Sequence, residues 1–148
     1  MENQDLSREA QIWQRVMAAP RMGQAQIRPL LLTAWEAVSV YRHLTAVLSG
    51  KNRDRARYLQ SRAMDTVEAL KGLQLLSGEQ PGKLLPVPVP REPVRRLVEK
   101  SWFRAGSLMA EFSAREPDGE FGAVYRQLAA GEGENRLLLA RLLGGLEG

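Results

Sequence analysis

Ser77 to Pro93 reads Ser-Gly-Glu-Gln-Pro-Gly-Lys-Leu-Leu-Pro-Val-Pro-Val-Pro-Arg-Glu-Pro, and five of these seventeen residues are proline. Proline has no amide hydrogen and a fixed φ angle, so this stretch can form neither a helix interior nor a central strand. It therefore divides the chain into two halves and is the longest break in its apolar pattern. The architecture of the chain depends on how this break connects the two halves.

Two apolar segments lie on each side of the proline-rich stretch. Residues 29–48 and 52–78 precede it, and residues 93–115 and 118–146 follow it, with short polar breaks around residues 50 and 117. In all four segments the apolar residues recur at spacings of three and four, which predicts amphipathic helices. The stripe of the first segment consists of Leu30, Ala34, Ala37, Tyr41, Leu44 and Leu48.

The length of the break then predicts the topology. A polyproline II segment of roughly 13–15 residues extends about 40–45 Å, whereas a helix of about 25 residues is about 37 Å long. The crossover, about 79–92, can therefore run the full length of a bundle and join two antiparallel hairpins, about 27–78 and about 93–146. We predict a single all-α domain over 1–148, a ferritin-like four-helix bundle with a short N-terminal helix at about 5–18.

Composition excludes several classes of site. The 148 residues contain no cysteine and one histidine, which excludes disulfides, cysteine nucleophiles and any metal site with two histidines from one chain. The formal charge of +4 comes from dispersed residues, and we interpret the densest run, from Arg53 to Arg62, as the solvated start of a helix. Nucleic acid is therefore not an expected partner. No apolar run is long enough to span a membrane, and we expect a cytoplasmic protein.

Four short motifs resemble the rubrerythrin-like branch of the ferritin-like superfamily over residues 27–146. Residues 36–41 read Glu-Ala-Val-Ser-Val-Tyr, which resembles the family pattern Glu-Ala-x-x-x-Tyr, and residues 65–69 resemble Glu-x-x-His-Ala. The second hairpin repeats the two patterns more weakly at residues 104–109 and 128–135. The resemblance implies a bundle whose helices carry the carboxylate and histidine ligands of a di-iron centre.

The residues at the implied ligand positions match the family only in part. Glu36 and Glu132 keep the carboxylate, and Asp65 replaces Glu conservatively. The other positions depart from the pattern, because Glu68 and Asn135 stand where histidines are expected and Arg104 replaces a carboxylate. An arginine is always cationic in proteins and donates up to five hydrogen bonds.

These departures favour a bundle that has lost its di-iron centre. We hypothesise that Arg104 takes the electrostatic role of an ion in a network with its neighbours, so that no cofactor or metal is expected. That network comprises Glu36, Asp65, Glu68, Arg104, Glu132 and Asn135. The function predicted is that of a non-catalytic structural or interaction protein. One alternative is that Arg104 faces solvent on a rotated helix.

A second alternative keeps a metal. The four carboxylates Glu36, Asp65, Glu68 and Glu132 could hold Fe or Mn in a divergent site with redox or peroxide-related activity. His43 lies two helical turns after Glu36, but a lone histidine without a second imidazole is a weak candidate ligand. Gly131 and Gly133 flank Glu132 and predict a kinked or broken helix, with a bulge beside a site as the other interpretation.

The apolar residues of the N-terminal segment indicate that it packs on a surface outside the four-helix core. Its apolar residues include Leu6, Trp13 and Val16 at helical spacing, and the predicted bundle offers them no position. The segment is expected either to cap the bundle or to pack on a second subunit. A homo-oligomer is expected, and a two-fold dimer is the commonest form.

Overall fold

The computed structural model describes residues 27–147 except residues 81 and 118, and the predicted N-terminal helix lies outside this range. The first described helix, α1, covers 27–47. It is followed by α2 (Gly50–Leu76), α3 (Val94–Arg115), a short 3-10 helix (Gly119–Phe121) and α4 (Gly122–Glu147). No strand occurs among the described residues. For the part of the chain that the structure describes, the prediction of an all-α fold with four long helices is therefore confirmed.

The first hairpin has a tighter connection than the sequence predicts. Only Leu48 and Ser49 separate α1 from α2, and the chain reverses through Gly50, whose φ of +58° favours glycine. The predicted boundary at residue 52 lies too far along the chain, because the helix begins at Gly50 with Ser49 in the capping position. The Asn52 side chain accepts a hydrogen bond from Nη1 of Arg55 at 3.1 Å.

The proline-rich crossover runs along α1. Its described residues between α2 and α3 contain neither helix nor strand. The indole Nε1 of Trp35 on α1 donates a 2.8 Å hydrogen bond to the carbonyl oxygen of Leu85, and the side chains of Leu84 and Val89 pack against the core. The crossover is thus attached to the bundle by a side-chain hydrogen bond and by apolar contacts.

The second hairpin turns through the short 3-10 helix. A Cβ atom on Gly122 would lie 2.3 Å from the carbonyl oxygen of Glu116, so only glycine fits this close approach of the backbone. Beyond it, the rings of Phe112 on α3 and Tyr125 on α4 stack with centroids 6.3 Å apart. These contacts hold α3 and α4 side by side from the turn onward.

The core forms along the apolar stripes that the spacing predicts. Every residue of the stripe predicted for the first segment is buried, from Leu48 at 8% exposed to Leu44 at 0%. The interior of the bundle also contains polar groups, since Gln74, Ser101, Glu132 and Asn135 are buried among the apolar side chains. Within the described residues, no helix combines the length and the apolar character needed to cross a membrane.

Candidate functional site

Polar side chains from all four helices converge inside the core. We call this group the central polar cluster. Its members are Glu36 and Tyr41 of α1, Arg62 of α2, Arg104 of α3, and Glu132 and Asn135 of α4. Placing charged groups in an apolar core costs free energy unless they pair with one another, so the pairing within the cluster determines what it can do.

Arg104 pairs across the bundle with Glu36. Its Nη2 atom lies 3.0 Å from Oε1 of Glu36, and the two side chains are 15% and 44% exposed. Because Ser101, Ala105 and Leu108 on the same face of α3 are buried, that face is directed into the bundle. The alternative that Arg104 faces solvent on a rotated helix does not fit this geometry.

Arg62 joins α2 to α4 through a chain of hydrogen bonds. Its Nε donates to Oδ1 of Asn135 at 2.7 Å, and the Nδ2 of Asn135 donates to Oε2 of Glu132 at 3.2 Å. The same guanidinium donates to the carbonyl oxygen of Gly131 at 3.0 Å and forms an ion pair with Glu134 at 2.9 Å. These three polar partners on α4 therefore fix the guanidinium beside the buried part of the helix.

Gly131 and Gly133 do not break α4. The helix is continuous from Gly122 to Glu147, so the prediction of a broken helix around Glu132 is wrong. A Cβ atom on Gly131 would lie 3.2 Å from Nη2 of Arg62. The packed bundle therefore tolerates the low helix propensity of glycine, and the missing side chain at Gly131 lets the guanidinium approach the backbone.

Asp65 and Glu68 are placed differently from the predicted network. Both are exposed, and Oε1 of Glu68 pairs with Nζ of Lys71 on the same helix at 3.6 Å. The structure corrects the sequence-based assignment here, because α2 buries Thr66 and Val67 and so turns Glu68 outward. Asp65 lies at a solvent-open cavity of about 310 Å³ that Arg62 and Asn135 also line, but no ion pair joins it to the central polar cluster.

Arg62 is the residue that the sequence analysis missed. The run of charged residues from Arg53 indicates a solvated side chain, although Arg62 lies one helical turn before Thr66, a buried residue. This i, i+4 relation to an inward-facing residue was the available signal. The sequence could not show that glycine at position 131 leaves room for a guanidinium.

Burial sets the protonation of Glu132. The side chain is almost fully buried, and desolvation raises its pKa to about 7, although the hydrogen bond from Asn135 and the charges of Arg62 and Arg104 act in the opposite direction. Desolvation also raises the pKa of Tyr41 above its usual range, and the charge of Glu132 adds to this effect. Near neutral pH the cluster therefore contains a carboxyl group that can gain or lose a proton.

The carboxylates do not form a metal-binding set. Across 27–147, apart from the two undescribed positions, no group of three or more Asp, Glu, His or Cys side chains converges as metal ligands would. The oxygens of Glu36 and Glu132 face Arg104 and Asn135, while Glu68 pairs with Lys71. The alternative ligand set Glu36, Asp65, Glu68 and Glu132 is thus distributed between the core and the surface, and it does not fit a di-metal centre.

His43 lies outside the central polar cluster. It lines a cavity of about 370 Å³ between α1 and the crossover, together with Trp35, Ser39, Arg42 and Pro86. The imidazole therefore belongs to the contact between α1 and the proline-rich segment. Nothing in this cavity adds a carboxylate that would make His43 part of a metal site.

Comparison of the chain with family models, with curated proteins and with solved structures finds no match. The resemblance to rubrerythrin-like proteins consequently rests on the motifs of the sequence alone. The arrangement of Arg104, Arg62 and the buried carboxyl group of Glu132 is therefore the basis for a proposed function.

Proposed function

We propose that this chain is a ferritin-like bundle in which an arginine-based network takes the place of a di-metal centre. On this proposal the protein is a non-catalytic structural or interaction protein, and it needs no cofactor. The observation that carries the proposal is the 3.0 Å pair between Arg104 and Glu36. Both residues stand at positions where the resembled family has metal-binding carboxylates.

The course of the crossover supports the ferritin-like topology. Its residues 84–89 line a cavity with residues 35–46 of α1, and Leu85 is hydrogen bonded to Trp35, so the crossover follows α1 lengthwise. At the other pair of helix ends, a Cβ atom on Gly145 of α4 would lie 2.5 Å from the side chain of Asn52 at the start of α2. These contacts are those expected when α2 and α3 run in the same direction and α4 runs against them.

The positions of the arginines argue against metal binding. A divalent cation about 4 Å from a guanidinium would be repelled by roughly 8 kcal/mol at an effective dielectric constant of about 20. Arg104 acts electrostatically on both Tyr41 and Glu132, so its charge is close to the space that a metal ion would need. A guanidinium supplies positive charge to buried carboxylates without the ligand geometry that iron or manganese requires.

Metal analysis tests this proposal. The protein would be expressed in medium supplemented with iron and manganese, purified without chelators, and measured by elemental analysis. We expect far less than one metal ion per chain. One or two tightly held iron or manganese ions per chain would contradict the proposal and favour the divergent carboxylate-metal protein.

The predicted homodimer stays a prediction. An interaction protein of this kind needs a partner surface, and a second copy of the chain is the simplest partner. Light scattering at several protein concentrations would give the mass, and a mass of 16.5 kDa throughout would contradict the dimer.

A further inference from the structure

An apolar groove lies on the outer side of the second hairpin. We call it the α3/α4 groove. It is a cavity of about 360 Å³ lined by Val98, Trp102, Phe103, Leu139, Ala140 and Leu143, and Glu99 is the only charged side chain among the described residues that line it. Phe103 is 67% exposed and meets the ring of Trp102 edge to face, with centroids 5.1 Å apart.

Such a groove is unfavourable when it is filled by water. At about 30 Å³ of liquid volume per molecule, a cavity of this size holds roughly a dozen waters against walls with few polar partners. Exposed apolar surfaces with a polar rim are typical of sites that another apolar element covers. An element that covers this groove must have an apolar face and must be connected closely enough to reach it.

The first 26 residues of this chain contain a suitable element. The sequence of residues 5–18 predicts an amphipathic helix with Leu6, Trp13, Val16 and Met17 on its apolar side. A helix of 14 residues is about 21 Å long. The apolar stripes of the four described helices already pack against one another, so this segment is left with an apolar side that needs a partner.

The distance along the bundle permits the contact. Arg104 is level with Glu36, which lies nine residues along α1 from residue 27 and so about 14 Å from the start of the described chain. The groove begins next to Arg104, at Phe103, and extends to Val98, which is about 15–23 Å from that start when measured along the bundle axis. Residues 19–26 form a connection of eight residues, which spans up to about 26–29 Å when extended.

We propose that residues 5–18 dock their apolar side into the α3/α4 groove of the same chain. Trp13 is the side chain best suited to fill the cavity, because a large aromatic group buries the most apolar surface at one position. The short connection keeps the segment at a high effective concentration, so modest contacts are sufficient. In this arrangement the N-terminal segment covers the apolar groove on the outer side of the second hairpin.

Hydrogen exchange measured by mass spectrometry on the full chain tests the docking. Ala140→Glu places a charge on the wall of the groove, and Ala130→Glu is its matched control, since Ala130 is exposed on the same helix and does not line the groove. We expect amides of residues 5–18 to exchange at least tenfold more slowly than in an unstructured peptide. Ala140→Glu and Trp13→Ser should each remove this protection, whereas Ala130→Glu should retain it.

Three results would overturn the proposal. The first is unprotected exchange of residues 5–18 in the wild-type chain. The second is protection that survives both Ala140→Glu and Trp13→Ser, with the amides of α1 to α4 reporting in the same measurement that the bundle remains folded. The third is protection that increases with protein concentration, because the occupant of the groove would then come from a second copy of the chain.

Discussion

Arginines occupy two contrasting regions of this bundle. At the start of α2, Arg57 lies 3.9 Å from Asp54, and the two side chains are 65% and 75% exposed. In the central polar cluster, Arg104 is only 15% exposed and donates to Glu36 at 3.0 Å. Exposed ion pairs contribute little to stability, whereas a buried charge must be paired. The same residue type is therefore a solubilising group in one region and an internal counter-ion in the other.

The largest expected effect concerns Glu132, the buried carboxyl group of the central polar cluster. Because the pKa of Glu132 is about 7 in the folded protein and about 4.5 when unfolded, the folded state binds the proton more tightly. The stability from this group is complete below about pH 4.5 and is lost as the pH rises through 7, by about 3 kcal/mol in the free energy of unfolding.

Glu132→Gln should remove this loss. Urea unfolding at pH 5 and pH 8 measures it, with the exposed Asp54→Asn as the matched control. We expect the wild type and the control to lose stability over this range by similar amounts and Glu132→Gln to lose about 3 kcal/mol less. Parallel curves for all three proteins would show that Glu132 is not buried as a neutral acid.

The next largest effect is the difference in stability between a variant that removes a buried arginine and one that removes an exposed arginine. Arg104→Leu leaves Glu36 without its ion-pair partner and removes one of the two cations that act on Glu132. We expect a loss of about 2–3 kcal/mol, below the value for a fully buried pair because Glu36 is 44% exposed. Arg57→Leu should change the free energy of unfolding by less than about 0.5 kcal/mol. Equal unfolding midpoints for the two variants in urea would remove the distinction between the regions.

The smallest expected effect concerns Gly131, whose missing side chain leaves room for the Arg62 guanidinium. Gly144→Ala meets open space and should stabilise α4 by about 1 kcal/mol through helix propensity. Gly131→Ala gains the same propensity but brings a Cβ atom to 3.2 Å from the Arg62 guanidinium, so its net gain should be about 1 kcal/mol lower. If thermal melting shows equal stabilisation, the close approach of Arg62 is unimportant for stability.

Helical spacing and the proline-rich break were sufficient to predict the four helices. The buried residues of α1 and the start of α3 after Pro93 follow directly from that pattern. The start of α2 could not be predicted in the same way, because Asn52 has good capping chemistry and the actual turn depends on the left-handed backbone of Gly50.

The members of the central polar cluster could be predicted only where apolar neighbours on the same helix face show that a side chain points inward. The inward direction of Arg104 and Glu132 follows from their apolar neighbours on α3 and α4. The assignment of Asp65 and Glu68 to the cluster rests on a motif alone. Successive residues of a helix are rotated by about 100°, so Glu68 is exposed although Val67 beside it is buried. The partners of Arg62 could not be predicted from the sequence, because Asn135 and Gly131 are about seventy residues away in the chain.

The central claim is that Arg104 compensates the carboxylates of Glu36 and Glu132 from inside the bundle. An NMR titration of the Glu132 side-chain carboxyl group in the wild type and in Arg104→Gln tests it most directly. The positive charge of Arg104 lowers the pKa of Glu132, so the pKa should be near 7 in the wild type and higher in the variant. An unchanged pKa in Arg104→Gln would contradict the claim.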